Sequence, residues 1–190
     1  MKTTEVLVKE HVLIRQVLDS LSIAREKLEK GDRPPKEVFE KAVLFSKNFA
    51  DKFHHYKEEY LLFGLLAQKK EGALDLEIGA LRYQHERCRH FVAEIKNAVD
   101  GYSSGNEIII TTLLENLAPY ISLLRRHIYM EDYVFFKMAG KELSDDEDRA
   151  LLGQFENEDK RIGGKDFYEK YKKIALEINS MMQEMTTPSV

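Results

Sequence analysis

The sequence predicts an all-α fold, an up-down-up-down four-helix bundle with additional C-terminal helices. Three observations predict it. Apolar residues recur at helical spacing along most of the 190 residues. Breaks bearing Gly or Pro fall at 31–35, 72, 100–101 and 140, and they set off four long helical stretches. Long helices joined by short breaks pack as antiparallel neighbours. The expected division is a bundle over residues 1–140 and a helical extension packing on it over 141–190.

The first helix is expected from about Thr4 to Lys30, with Val8, His11, Leu13, Val17, Leu18, Leu21 and Leu28 near one face. Gly31-Asp32-Arg33-Pro34-Pro35 stops it. The second runs from about Lys36 to Lys70, where Gly72 breaks it, and the third from about Leu74 to Val99, ending at Asp100-Gly101. The fourth runs from near Asn106 to Ala139, with a kink or offset expected at Pro119. Ser144-Asp145-Asp146-Glu147 reads as a capping box opening a helix to about Lys160, ended by Gly163-Gly164. In the last stretch Phe167, Tyr171, Ile174, Ile178, Met181 and Met185 form a stripe that favours packing on the bundle over a subunit contact.

Composition narrows the function. The chain is 43% hydrophobic and 33% charged, the balance of a helix-rich globular protein. Its 29 basic and 33 acidic residues give a net charge of −4, with no basic patch for nucleic acid. The single cysteine, Cys88, excludes an internal disulfide and fits a reducing compartment. No signal-peptide pattern opens the chain, and the apolar run Leu61 to Ala67 is far short of the ~18 residues of a membrane span. A cytoplasmic protein without membrane or nucleic-acid partners is expected.

Four of the six histidines form a repeating figure: His11, His54-x-x-x-Glu58, His85, His127-x-x-x-Glu131. Residues four apart lie one turn apart on one helix face, so each His/Glu pair can reach one ion. Four helices pointing such residues inward build a two-metal site. Each carboxylate can bridge both ions, and four imidazoles supply two nitrogens per ion. With one solvent-derived bridge, each ion keeps a place open for a small molecule such as dioxygen. Imidazole and carboxylate suit iron, zinc, copper or nickel, and no thiolate is available for a structural zinc site. A lone buried histidine is ordinarily a satisfied core residue and a lone HxxxE a surface pair. Two matched pairs with two single histidines, one per predicted helix, favour a metal site.

Neighbours compete for two of the places. The helical row of His54 holds Ala50, Leu61, Val43 and Leu65, whereas that of His55 holds Asp51, Asn48, Glu59 and Leu62. The more apolar row makes His54 and Glu58 the inward pair. Glu131 competes with Asp132. His90 reads as surface or outer shell, and Cys88 as a small buried filler. His85-Glu86-Arg87-Cys88-Arg89 lacks the second histidine of a zinc-protease motif, and the ExxH of ferritin-like proteins is absent. The two halves also echo each other beyond the ligands: Glu58-Glu59-Tyr60-Leu61-Leu62-Phe63 beside Glu131-Asp132-Tyr133-Val134-Phe135-Phe136. This suggests a pseudo-twofold bundle with the site on its axis.

Glu10-His11, His54-His55-Tyr56-Lys57-Glu58-Glu59, Tyr83-Gln84-His85-Glu86 and His127-Ile128-Tyr129-Met130-Glu131-Asp132 together resemble the hemerythrin-like HHE cation-binding domains, over about residues 4 to 140. The resemblance implies two non-haem iron ions, with zinc or manganese as alternatives and an oxo or hydroxo bridge. It implies the ligands His11, His54, Glu58, His85, His127 and Glu131, and the position of Phe63 and Phe136 supports Glu58 over Glu59 and Glu131 over Asp132. Oxygen-carrying hemerythrins have a second histidine one turn past the third-helix ligand, where this chain has Arg89, and their last carboxylate is an i+5 aspartate, a place open to Asp132. The four-His, two-Glu pattern is similar to the di-iron proteins that repair iron–sulfur clusters, which carry an N-terminal cysteine-bearing segment not found here.

The expected function is therefore a di-iron protein binding dioxygen, nitric oxide or iron for sensing, storage or stress protection, with a homodimer or a separate effector protein as partner. The alternatives are a di-iron oxidoreductase acting on peroxide or nitric oxide, iron–sulfur cluster repair, and a non-redox zinc protein.

Overall fold

The structure is a computed structural model that describes residues 1–69, 72, 74–102 and 106–186. It is all-α, with six helices and no strand among the described residues. Helix α1 is Lys2–Glu29. Helix α2 is continuous from Lys36 to Leu66, and α3 is Asp75–Gly101. Helix α4 runs through Glu107–Glu142, α5 is Asp145–Arg161 and α6 is Gly164–Thr186. The expected end of the second helix at Lys70 and the last four residues of the extension lie outside the described residues.

Local chemistry sets the boundaries. Gly31 takes φ 87°, a left-handed value that costs glycine little. It ends α1 in a Schellman turn: Gly31 N–H donates to the Leu28 carbonyl at 3.0 Å and Asp32 N–H to Lys27 at 2.9 Å. The Asn106 side chain caps α4, and the Ser144–Glu147 capping box opens α5 as expected. Helix α4 continues through Pro119.

Two helices change their winding at the ligand-bearing stretches. In α2 the segments Ser46–His55 and Lys57–Leu62 are π-helical, and in α4 so is Glu131–Phe135. Bonds there run i→i+5, so each residue advances the helix by a smaller angle than in an α-helix. Consecutive residues can then face the same side.

Helices α1 to α4 close into a four-helix bundle, with α1 against α2 and α4, and α3 against α2 and α4. Its apolar interior is divided in two. One cluster joins Leu13 to Leu28, Val38 to Phe53, Cys88 to Tyr102 and Ile110 to Ile128 with Tyr171, Ile174, Ala175, Ile178 and Met182 of α6. The other joins Leu7, Leu62, Phe63, Ile78, Phe135 and Phe136 with Leu151 and Phe155 of α5. The histidines and glutamates occupy the layer between them. The stripe on α6 packs through Tyr171, Ile174 and Ile178, joined by Ala175 and Met182, with Phe167, Met181 and Met185 partly buried at its margin.

By length and composition α4 is apolar enough to cross a membrane. It is nevertheless two-sided: Leu113, Leu117, Ile121 and His127 are buried, while Glu115, Ser122, Arg125 and Arg126 are exposed. That is the pattern of a bundle helix.

Candidate metal centre

The four bundle helices each deliver one histidine to the polar layer: His11 from α1, His54 from α2, His85 from α3 and His127 from α4. With Glu58 and Glu131 they make six side chains that are at most 1% exposed. Together with His55 they fall into two ligand-sized groups sharing Glu58. One is His11, His54, Glu58 and Glu131; the other is His55, Glu58, His85 and His127.

The glutamates straddle both groups. Glu58 Oε1 lies 3.3 Å from His54 Nε2 and 3.9 Å from His11 Nε2, while its Oε2 lies 3.6 Å from His85 Nε2. Glu131 Oε2 lies 3.0 Å from His127 Nε2 and 3.3 Å from His11 Nε2, and its Oε1 is 4.0 Å from His85 Nε2. Thus every Nε2 of the four histidines faces a glutamate.

Every Nδ1 points the other way, to a separate acceptor. His11 Nδ1 pairs with Asp132 at 2.7 Å, His54 with Glu10 at 2.9 Å, His85 with Glu59 at 2.6 Å and His127 with Gln84 at 2.8 Å. A carboxylate or amide oxygen only accepts, so these contacts place the proton on Nδ1 and direct Nε2 to the centre. The carboxylates are held in turn by cations: Asp132 by Arg15, Glu10 by Lys57 and Glu59 by Arg89. Glu59 and Asp132, the rivals of Glu58 and Glu131 in the sequence, therefore lie behind the histidines.

These contacts realise the internal echo. The residue before each lone histidine (Glu10, Gln84) supports the histidine of the HxxxE pair in its own half. The residue after each central glutamate (Asp132, Glu59) supports the lone histidine of the other half. Phe136 stacks on His11 at 5.9 Å and Phe63 on His85 at 6.2 Å, each again crossing between halves.

The electrostatics call for positive charge. Burial opposes a proton on His54, yet Glu58 and Glu10 outweigh it and raise its pKa to about 10. Burial and His54 oppose a charge on His11, but Asp132 and Glu131 raise it. Burial would raise Glu131, but His127 and His11 hold it well below the usual range. On the other side burial, with His55 and His127 alongside, keeps His85 well below the usual imidazole range.

The donor set fits a pair of metal ions on two observations. None of the four oxygens of Glu58 and Glu131 accepts a hydrogen bond, although all are buried. Such orphaned acceptors are rare in native interiors and need an explanation. In addition, His85 Nε2 and His127 Nε2 face each other at 2.9 Å. With both Nδ1 protons committed outward, two lone pairs oppose each other there, and a cation relieves the repulsion.

His55 is buried as well, stacked on His85 at 3.8 Å. The α-helical rows that separate His54 from His55 do not hold here, because the π-helical winding of α2 turns both inward. His55 has no counterpart in the second half, where Ile128 stands, and its Nδ1 lacks a hydrogen bond. Burial lowers its pKa. Glu10, Gln84 and Lys57 stand outside the ligand set expected from the sequence, although each is adjacent in the chain to one of the ligands, the one sequence signal they carry. His90 is exposed and Cys88 is buried, its thiol pushed up to about 12 by burial.

Beside His55 lies a cavity of about 180 Å³ lined largely by Ala50, Cys88, Val92, Tyr120 and Leu124, with the Asp51–Arg89 ion pair at 2.7 Å along one side.

A family profile described as the Hemerythrin HHE cation binding domain matches residues 2–139. Uncharacterized proteins of Mycobacterium tuberculosis and Mycobacterium bovis are 26% identical over 172 residues, covering 90% of this chain and 67% of theirs. No solved structure matches the chain.

Proposed function

The chain belongs to the Hemerythrin HHE cation binding domain family, and from that premise we propose that it is a binuclear non-haem iron protein binding a small diatomic ligand, dioxygen or nitric oxide, for sensing, storage or stress protection. The observation that carries the reading is the pair of buried glutamates whose four oxygens accept no hydrogen bond and face four imidazoles. His11, His54, Glu58 and Glu131 would hold one ion, and His85 and His127 with the same glutamates the other. His55 stands beside the second as a fifth imidazole.

Iron in such a site supplies reversible ligation and one-electron redox chemistry for a small molecule. The protein's part lies in placement and charge. Two glutamates offset part of the charge of two divalent ions, which neutral histidines leave uncompensated. The Nδ1 partners fix the rings, and two apolar clusters wall the layer off from water. The cavity beside His55 has room for a diatomic molecule and a largely apolar lining, which favours a small, weakly polar ligand.

The test is anaerobic loading with iron(II), metal analysis, and an optical spectrum before and after dioxygen or nitric oxide. Two irons per chain and a spectrum that reverses on removing the gas support the carrier or sensor. Sustained peroxide or nitric oxide turnover moves the protein to the oxidoreductase class. Retention of zinc with no iron bound refutes the di-iron reading.

A further inference from the structure

Besides His55, the two halves differ around the metal layer in one chain of charges. In the first half Glu10 supports His54, and Lys57 holds Glu10. The equivalent places in the second half are Gln84 and Met130, a neutral amide and a thioether. The charged pair and the neutral pair thus replace each other as units. Their surroundings differ to match: Met130 is 38% exposed, Lys57 is fully buried.

Part of the cover over Lys57 comes from outside the family's span of residues 2–139. Its ammonium lies 3.5 Å from the centre of the Phe53 ring and 5.6 Å from that of Phe155 on α5. It donates to Asp159 Oδ1, also on α5, at 3.0 Å. A continuous line runs from the partly exposed Asp159 through Lys57 Nζ and Glu10 to His54 Nδ1. Each link fixes the next, because Glu10 gives Oε1 to the lysine and Oε2 to the histidine.

We propose that Asp159 is a positioning residue for one metal position: acting through Lys57 and Glu10, it makes the C-terminal helices part of the outer shell of His54. The two metal positions are then unequal. The one at His11 and His54 depends on the extension, and the one at His85 and His127 does not. This rests on the two-metal reading. Without Asp159 the buried ammonium keeps one carboxylate partner, Glu10 loses its fixed orientation, and the His54 ring loosens. Outer-shell partners of this kind are worth roughly 10–100-fold in metal affinity.

The experiment loads the full chain with zinc and withdraws it with a graded chelator. Histidine nitrogen NMR identifies which imidazole is freed. The variants are Asp159→Ala, its conservative partner Asp159→Glu, and the double variant Lys57→Met with Glu10→Gln, which copies the neutral pair of the second half and removes both fully buried charges together. Glu156→Ala, exposed on the same helix, is the control. Asp159→Ala and the double variant are expected to release one of two ions on the order of 10-fold more readily, with His54 freed first. Asp159→Glu and the control should behave as wild type. Wild-type release of both ions from Asp159→Ala overturns the proposal, whatever the double variant does. So does equal weakening of both ions, which marks a merely structural role. A wild-type chain that fails to take up two zinc ions overturns the two-metal reading itself, and this inference with it.

Discussion

At the scale of single residues, the outward hydrogen bond of each imidazole ranks the donors. His54 is held by Glu10 and faces Glu58, whereas His55 Nδ1 makes no hydrogen bond, its nearest carboxylate, Asp51, lying 3.6 Å away. His54→Ala should therefore lose at least one ion, and His55→Ala should keep both; equal metal content in the two variants refutes this ranking. Glu58→Ala and Glu131→Ala should each lose at least one ion, because the remaining carboxylate leaves buried positive charge poorly compensated. Glu59→Ala should keep two ions with affinity reduced roughly 10–100-fold, as expected of an outer partner. Elemental analysis and chelator competition read all of these. The raised pKa values of His11 and His54 set the pH dependence. Without metal, their protonated forms stabilise the fold fully below about pH 6.5, and for His54 that contribution is lost as pH rises through about 10. A metal ion must displace these protons, so binding strengthens with pH. The melting-temperature gain on adding zinc should be larger at pH 8.5 than at pH 6, and a gain that shrinks with rising pH contradicts the assignment.

At the scale of elements, winding and capping place the site. An α-helix turns about 100° per residue, so two neighbouring histidines diverge. The i→i+5 segments of α2 let His54 and His55 both enter the layer while His54 still reaches Glu58. Helix α5 is the element that covers Lys57, and its start rests on Ser144, which accepts from Glu147 N–H. Ser144→Ala should cost about 1 kcal/mol of stability, measured by urea unfolding of the metal-loaded protein. No change in the unfolding midpoint would show that the cap is redundant.

At the scale of the whole molecule, the metal layer lies between two apolar clusters and is contacted by all four bundle helices. An ion that binds there binds the folded chain, and linkage converts its affinity into stability. At a free metal concentration 100 times Kd, one site adds about 2.7 kcal/mol, or roughly 5–10 °C for a chain of this size. Calorimetry with and without zinc checks this, and Glu58→Ala should abolish most of the shift. An unchanged melting temperature in the wild type would mean that the layer holds no ion.

The sequence by itself determined the helices, the bundle and the figure of four histidines and two glutamates, because helical period and i,i+4 spacing are local properties that survive in any all-α packing. It also made the twofold echo legible, since matched residues recur in matched order. Tertiary structure decided the rest. Whether Glu59 or Glu58 faces the centre, and Asp132 or Glu131, depends on what stands across the bundle: His85 occupies Glu59 and His11 occupies Asp132. The inward turn of His55 depends on a winding that composition does not announce. The burial of Lys57 depends on Phe155 and Asp159, about a hundred residues away in sequence. An ammonium on a helix reads as solvated until another helix covers it, because the cost of burying a charge is offset only by partners that folding brings from elsewhere in the chain.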